Sequence, residues 1–216
     1  MKRYTVRRIA ADLPLDGDIS KAPWSKTRGI EISASPWHGR GGNQGTVVKA
    51  CYSTSSLYLL FLCEDAHISA TRTRLNSHVC LDSCVEFFAS LPEDPGSYFN
   101  LECNCCGTLL MGYGPARRPR RLIGKRLASR IEIRRSVPGR MKRPSRRDKG
   151  WTLQIALPLE VLSAFIRRPV RMAAGTRWRA NFYRCGGRQL ACWSPVRTRR
   201  PDFHRPEYFG ELTFGR

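Results

Sequence analysis

From residue 47 to residue 214 the chain is cut into short apolar-rich runs, each closed by turn-forming residues, and this punctuation most restricts what it can fold into. Residues 47–52 and 57–64 are two such runs joined by Ser53-Thr54-Ser55-Ser56, the pattern of a β-hairpin. In the second run Leu57, Leu59, Phe61 and Cys63 share one face and Tyr58, Leu60 and Leu62 the other, as in a strand covered on both sides. Residues 85–90 form a further run between Asp82 and Pro92-Glu93-Asp94-Pro95-Gly96. Residues 98–103 and 108–113 make a second hairpin around Asn104-Cys105-Cys106-Gly107, and Ile131, Ile133 and Val137 alternate with polar residues. Trp151, Leu153, Ile155 and Leu157 alternate with Thr152, Gln154 and Ala156, and Pro158 closes that strand ahead of a short helix over 159–165. Residues 178–185 and 211–214 complete the set. Many short strands with one short helix predict an all-β fold, an antiparallel β-sandwich of jelly-roll-like or immunoglobulin-like layers. At 216 residues and 41% hydrophobic, one core is sufficient, and 1–216 reads as a single domain.

The formal charge of +21 suggests a nucleic-acid partner until it is mapped. Fifteen of the 38 basic residues lie between Arg117 and Lys149, opposed there only by Glu132 and Asp148; the rest of the chain carries 23 basic and 15 acidic residues. So local an excess is able to bind polyanions, nucleic acid included, in a salt-dependent way. The plainer reading is a solvated arginine-rich connection around one strand, because no nucleic-acid motif or aromatic stacking platform accompanies it. The first ten residues are basic but lack the apolar core of a signal peptide, and no run approaches the roughly 18 apolar residues of a membrane span. The expected location is cytoplasmic, or periplasmic or secreted if the N-terminus is incomplete. Nine cysteines are an odd number, and Cys51, Cys63, Cys103, Cys185 and Cys192 sit in or beside apolar runs, which favours reduced thiols over a disulfide framework. Neither Cys103-Asn104-Cys105-Cys106 nor Cys80-x-x-x-Cys84 has the spacing of a zinc ribbon or knuckle, so no metal is expected.

Catalytic signatures are missing as well: no Gly-x-Ser-x-Gly elbow, no phosphate-binding glycine loop and no His-Glu-x-x-His. Glu86, Glu102 and Asp65 are the acidic residues placed on or near strands, and a glycosidase would need two of them facing each other across a cleft. The plainer role for them is pairing with arginine or binding sugar hydroxyls. Of the histidines, His204 stands in the most suggestive context, between Phe203 and Arg205-Pro206, whereas His38, His67 and His78 fall in loops. Trp24 and Trp151 read as core, Trp193 is open between core and platform, and Trp37, beside a glycine-rich loop over 39–45, is the best exposed aromatic of the first half.

In their order along the chain, Asp16-Gly17 with Trp24, Leu57-Tyr58-Leu59 leading to Asp65, Asp82-Ser83-Cys84-Val85-Glu86-Phe87-Phe88, Trp193-Ser194-Pro195 and Phe203-His204-Arg205-Pro206-Glu207-Tyr208-Phe209-Gly210-Glu211-Leu212 resemble the family 9 carbohydrate-binding modules, specifically the stand-alone bacterial family 9-like proteins. The resemblance covers nearly the whole chain and implies a β-sandwich within a wider DOMON-like superfamily that includes sugar- and haem-binding members. It also implies a non-catalytic module without cofactor, associated with carbohydrate catabolism, in which aromatic rings stack on a sugar while Glu, Arg and Asn take its hydroxyls. Glu86 matches the family's glutamate and Phe203 stands for its second tryptophan. The first tryptophan falls near Val79 and the arginine near Asn100. The expected ligand set is therefore Phe203, Trp193 and Trp37 as stacking faces, with His204, Glu86, Asn100, Asn181 and Arg184 as polar contacts. Haem or another small ligand is the alternative, and haem would require an axial pair such as His204 and Met111.

Overall fold

The computed structural model describes residues 1–37, 44–139, 141–187 and 189–216. His38, most of the glycine-rich loop (39–43) and Arg140 of the basic stretch lie outside the described residues. The strands are β1 (Arg3–Arg8), β2 (Ile30–Glu31), β3 (Thr46–Tyr52), β4 (Ser56–Glu64), β5 (Cys84–Leu91), β6 (Asp94–Asn104), β7 (Leu109–Gly114), β8 (Arg121–Leu122), β9 (Glu132–Arg135), β10 (Gly150–Pro158), β11 (Arg177–Gly186), β12 (Gln189–Cys192) and β13 (Gly210–Phe214). The helices are α1 (Lys125–Ala128) and α2 (Leu159–Ile166).

The strands form a sheet curled into two layers, in the order β8-β7-β6-β5-β11-β13-β1 and then β1-β3-β4-β10-β9, with β12 on β11 and β2 on β3. β1 belongs to both layers: Tyr4 lies opposite Leu212 of β13, and Arg7 opposite Cys51 of β3. Both pairings of β1 are parallel, which qualifies the expected purely antiparallel sandwich; the other described pairings are antiparallel. A second short helix, α1, also departs from the single one expected, and it is too short and too exposed to leave an apolar stripe in the sequence.

Strand alternation builds the core. Val85, Phe87, Ala89 and Leu91 of β5 meet Leu57, Leu59 and Phe61 of β4 between the layers, and Val161, Leu162, Phe165 and Ile166 of α2 join the same cluster. The other face of β4 carries Tyr58 and Leu60, which are covered by Trp24 and the partly buried Leu13, Leu15 and Ile19. That explains why β4 is apolar on both sides. The other face of the first layer is covered differently, by the segment between β12 and β13, and there the polar residues gather. The basic stretch runs from β8 at the edge of one layer to β9 at the edge of the other. Its exposed arginines thus flank the two open edges, where like charge discourages pairing with another chain.

Candidate functional site

On β5 the residues between the core positions, Cys84, Glu86 and Phe88, point away from the core. Register aligns them with their neighbours: Glu86 lies between Glu102 of β6 and Tyr183 of β11, and Phe88 between Asn100 and Asn181. The loop before β13 folds over this face. Phe203 stacks on Tyr183, with ring centroids 4.1 Å apart and planes within 16°, and the Tyr183 hydroxyl donates to the Phe203 carbonyl at 3.0 Å. His204 lies 5.0 Å from the ring of Phe88, and its Nδ1 is 3.0 Å from the Tyr98 hydroxyl. Trp37 packs against Phe203 at 5.5 Å and donates its indole N–H to the Thr198 carbonyl.

Between loop and sheet is a cavity of about 240 Å³ whose lining includes Glu86, Glu102, Phe203, His204, Arg117 and Leu81. Larger hollows lie elsewhere, including about 610 Å³ beside Thr46 and Trp151 and about 790 Å³ beside Leu13 and Glu160. Neither contains a buried carboxyl beside an aromatic wall, the combination that marks this site: their acidic residues are exposed.

The two carboxyls are adjacent and buried. Burial and the neighbouring Glu102 carboxylate hold the Glu86 carboxyl well above the ordinary range, against a 2.9 Å hydrogen bond from the Cys185 thiol. Burial pushes Glu102 up to about 7, opposed by the Asn100 amide, which donates to its Oε1 at 2.9 Å. The pair therefore retains a proton at neutral pH and can both donate and accept hydrogen bonds. Burial lowers His204 to about 4, with the charges of Arg120 and Arg117 acting in the same direction, so its imidazole is neutral. The two glutamates stand side by side on one wall rather than across a cleft, unlike the arrangement of glycosidase carboxyls.

Phe203, His204 and Glu86 meet at the cavity, whereas Trp37 packs against Phe203 and is not among the cavity's lining residues. Asn100 is buried beneath it: its Oδ1 accepts from Arg120 Nε at 2.8 Å while its amide holds Glu102, so it orients the floor rather than facing the cavity. Three expected contacts are displaced. Trp193 is 3% exposed and packs in the inter-layer core against Phe182, so it offers no open face. Asn181 is fully buried, and its side chain bonds the backbone N–H and carbonyl of Ser194. Arg184 points to the opposite side of the sheet, where it pairs with Asp65 at 2.6 Å. The axial pair named for the haem alternative is not brought together, since Met111 faces the inter-layer core and His204 the outer side.

Sequence reasoning missed Tyr98, Tyr183, Arg117 and Arg120. The two tyrosines were legible, because counting by twos outward from Glu86 and along its partner strands reaches them. Arg120 was not. It is one of fifteen basic residues in its stretch, yet its guanidinium sits 4.2 Å over the Tyr98 ring and donates to the carbonyls of Tyr98 and Ala116.

The sequence profile of Carbohydrate-binding family 9 matches residues 24–214. A solved structure of a candidate carbohydrate-binding protein from Bacteroides uniformis ATCC 8492 is similar over 99% of each chain, with 26% identity and a TM-score of 0.85. A family 9 carbohydrate-binding module from Caldicellulosiruptor kristjanssonii, solved with glucose and with cellotriose, shares the fold at TM-scores of 0.65 and 0.64. Its identities are 14% and 12%, over all of this chain and 97% and 95% of the other. No curated protein matches the chain. Among the described residues no helix is long and apolar enough to cross a membrane. With the profile extending over most of its length and the sandwich in place, the chain belongs to carbohydrate-binding family 9, a family of non-catalytic carbohydrate-binding domains.

Proposed function

We propose that the chain binds one sugar ring, without transforming it, in the cavity between Phe203 and the Glu86–Glu102 pair. The observation that carries this reading is a proton-holding carboxyl pair at the floor of a pocket with an aromatic wall. Such a floor suits hydroxyl groups, each of which is donor and acceptor at once, and an aromatic wall suits the C–H patches of a sugar ring. The cavity is smaller than the roughly 300 Å³ at which small-molecule sites usually begin, which favours the end of a chain over an internal stretch. Glucose and cellotriose, held by the structurally similar module, are the first ligands to try.

Calorimetric titration with glucose, cellobiose and cellotriose tests this on the wild type, Phe203→Ala and Glu86→Gln. Loss of the ring should cost roughly 1–3 kcal/mol of binding. Loss of the acid should cost about 1–2 kcal/mol. Unchanged affinity in both folded variants moves the site elsewhere, and a wild type that takes up no sugar overturns the reading.

A further inference from the structure

The spacing of cysteines along the sequence speaks against a metal, but the fold brings together residues that spacing cannot relate. Cys84 of β5 and Cys185 of β11 lie directly opposite each other in the sheet. Their sulfurs and a Glu86 carboxylate oxygen all fall within 4.8 Å of one another, and the three residues are buried. Cys185 Sγ is already 2.9 Å from Glu86 Oε1. Cys80 packs against the cluster of Val79, Cys84 and Cys185 and also lines the cavity, so a third, half-buried sulfur stands on the side open to solvent.

We propose that Cys84, Cys185 and Glu86, with Cys80 closing the shell, form a binding site for one thiophilic divalent cation of the zinc type, set at the floor of the cavity. Three thiolates and one carboxylate make a tetrahedral donor set that favours soft or borderline ions over calcium or magnesium. The ligand atoms of Cys84, Cys185 and Glu86, within 4.8 Å of one another, draw together to reach the usual 2.0–2.3 Å bond lengths, and Cys80 moves in from outside that group. Each thiol that binds releases its proton to solvent, so uptake is acidifying. The site shares Glu86 with the proposed sugar cavity, but its probe is the metal alone, so its failure and the failure of the sugar reading are told apart.

The reduced, chelator-treated full chain is titrated with Co²⁺ in the absence of sugar. The expected result is uptake of one equivalent, with intense thiolate-to-cobalt charge-transfer absorption and the visible bands of a tetrahedral ion. Cys84→Ser and Cys185→Ser should each weaken uptake about 10-fold or more, on the scale by which even supporting residues of metal sites act. Cys51→Ser, buried on the far side of the other layer, should leave it unchanged. As a readout that needs no variant, Zn²⁺ should raise the wild-type unfolding midpoint by about 4 °C or more, reversed by chelator. The proposal is overturned if the wild type binds no stoichiometric Co²⁺ and gains no stability from Zn²⁺. It is equally overturned if the Cys84→Ser/Cys185→Ser double variant, still folded, keeps the charge-transfer band.

Discussion

Arg184 and His204 show how the two faces of one sheet treat charge differently. On the inner face Arg184 is 1% exposed and binds Asp65, which also accepts from Ser83 Oγ at 2.7 Å and Trp151 Nε1 at 3.1 Å. Removing the arginine alone leaves a buried carboxylate without its counter-ion. Arg184→Leu should therefore destabilise by roughly 3–5 kcal/mol. Adding Asp65→Leu should recover part of that in urea unfolding, and additive losses would contradict a coupled pair. On the outer face His204 is surrounded by the Tyr98 hydroxyl, by Arg117 and Arg120, by Asp202 of its own loop and by the carboxyls of the cavity. Its folded value of about 4 lies below the ordinary 6.5, so the unfolded chain takes up a proton that the folded one refuses. Its contribution to stability is complete above about pH 6.5 and is lost as pH falls toward 4. His204→Gln removes that loss, so the stability of wild type relative to variant should decline across this window. An imidazole that titrates near 6.5 by NMR would contradict it.

At the scale of elements, the end of β11 is where the sheet, the cavity and the thiol cluster converge. Gly186 follows Cys185 with φ of +107°, and a Cβ there would lie 1.8 Å from the Asp82 carbonyl oxygen. The close approach lets the segment before β5 pass beside the end of β11. Asp82 uses that position to bond the backbone N–H groups of Thr71 and Arg72 and the side chain of Asn104. Gly186→Ala combines an unfavourable backbone with a backbone clash and should cost roughly 2–4 kcal/mol in the unfolding free energy. A stability within about 0.5 kcal/mol of wild type, the range of an ordinary surface change, would show that the close approach is not held there.

For the whole molecule the decisive strand is β1. It is the one described strand shared by both layers, through four aligned pairs with β13 and two with β3. It also delivers Val6 and Tyr4 to the core, and the Tyr4 hydroxyl accepts from the Ala50 N–H at 3.0 Å and donates to the Arg28 carbonyl at 2.7 Å. Deleting residues 1–8 removes these two buried side chains, each contributing about 1.5–3 kcal/mol, and exposes the facing edges of β3 and β13. The truncated chain should lose its cooperative urea transition or shift it to much lower concentration. An unchanged midpoint would mean that the layers hold together without the strand.

Most strands, the helix after Pro158, the two-sided burial of β4 and the family were legible in the amino-acid sequence alone. Alternation and turn residues are local and survive being read one segment at a time. The sequence also placed Glu86 on a strand and Phe203 and His204 on the loop into the last one. Local pattern, however, divides a strand into two faces without saying which neighbours each face meets. Arg184 and Glu86 both read as polar residues within strands, and only packing sent one to Asp65 and the other to the cavity. A single arginine among fifteen basic residues covers Tyr98 because the loop before β8 returns there. Cys84 and Cys185 became neighbours by the register of β5 against β11, a pairing across a hundred residues that depends on the whole sheet closing. Contacts of that range are fixed by the order of strands and by the burial all of them share, and no single segment contains the information.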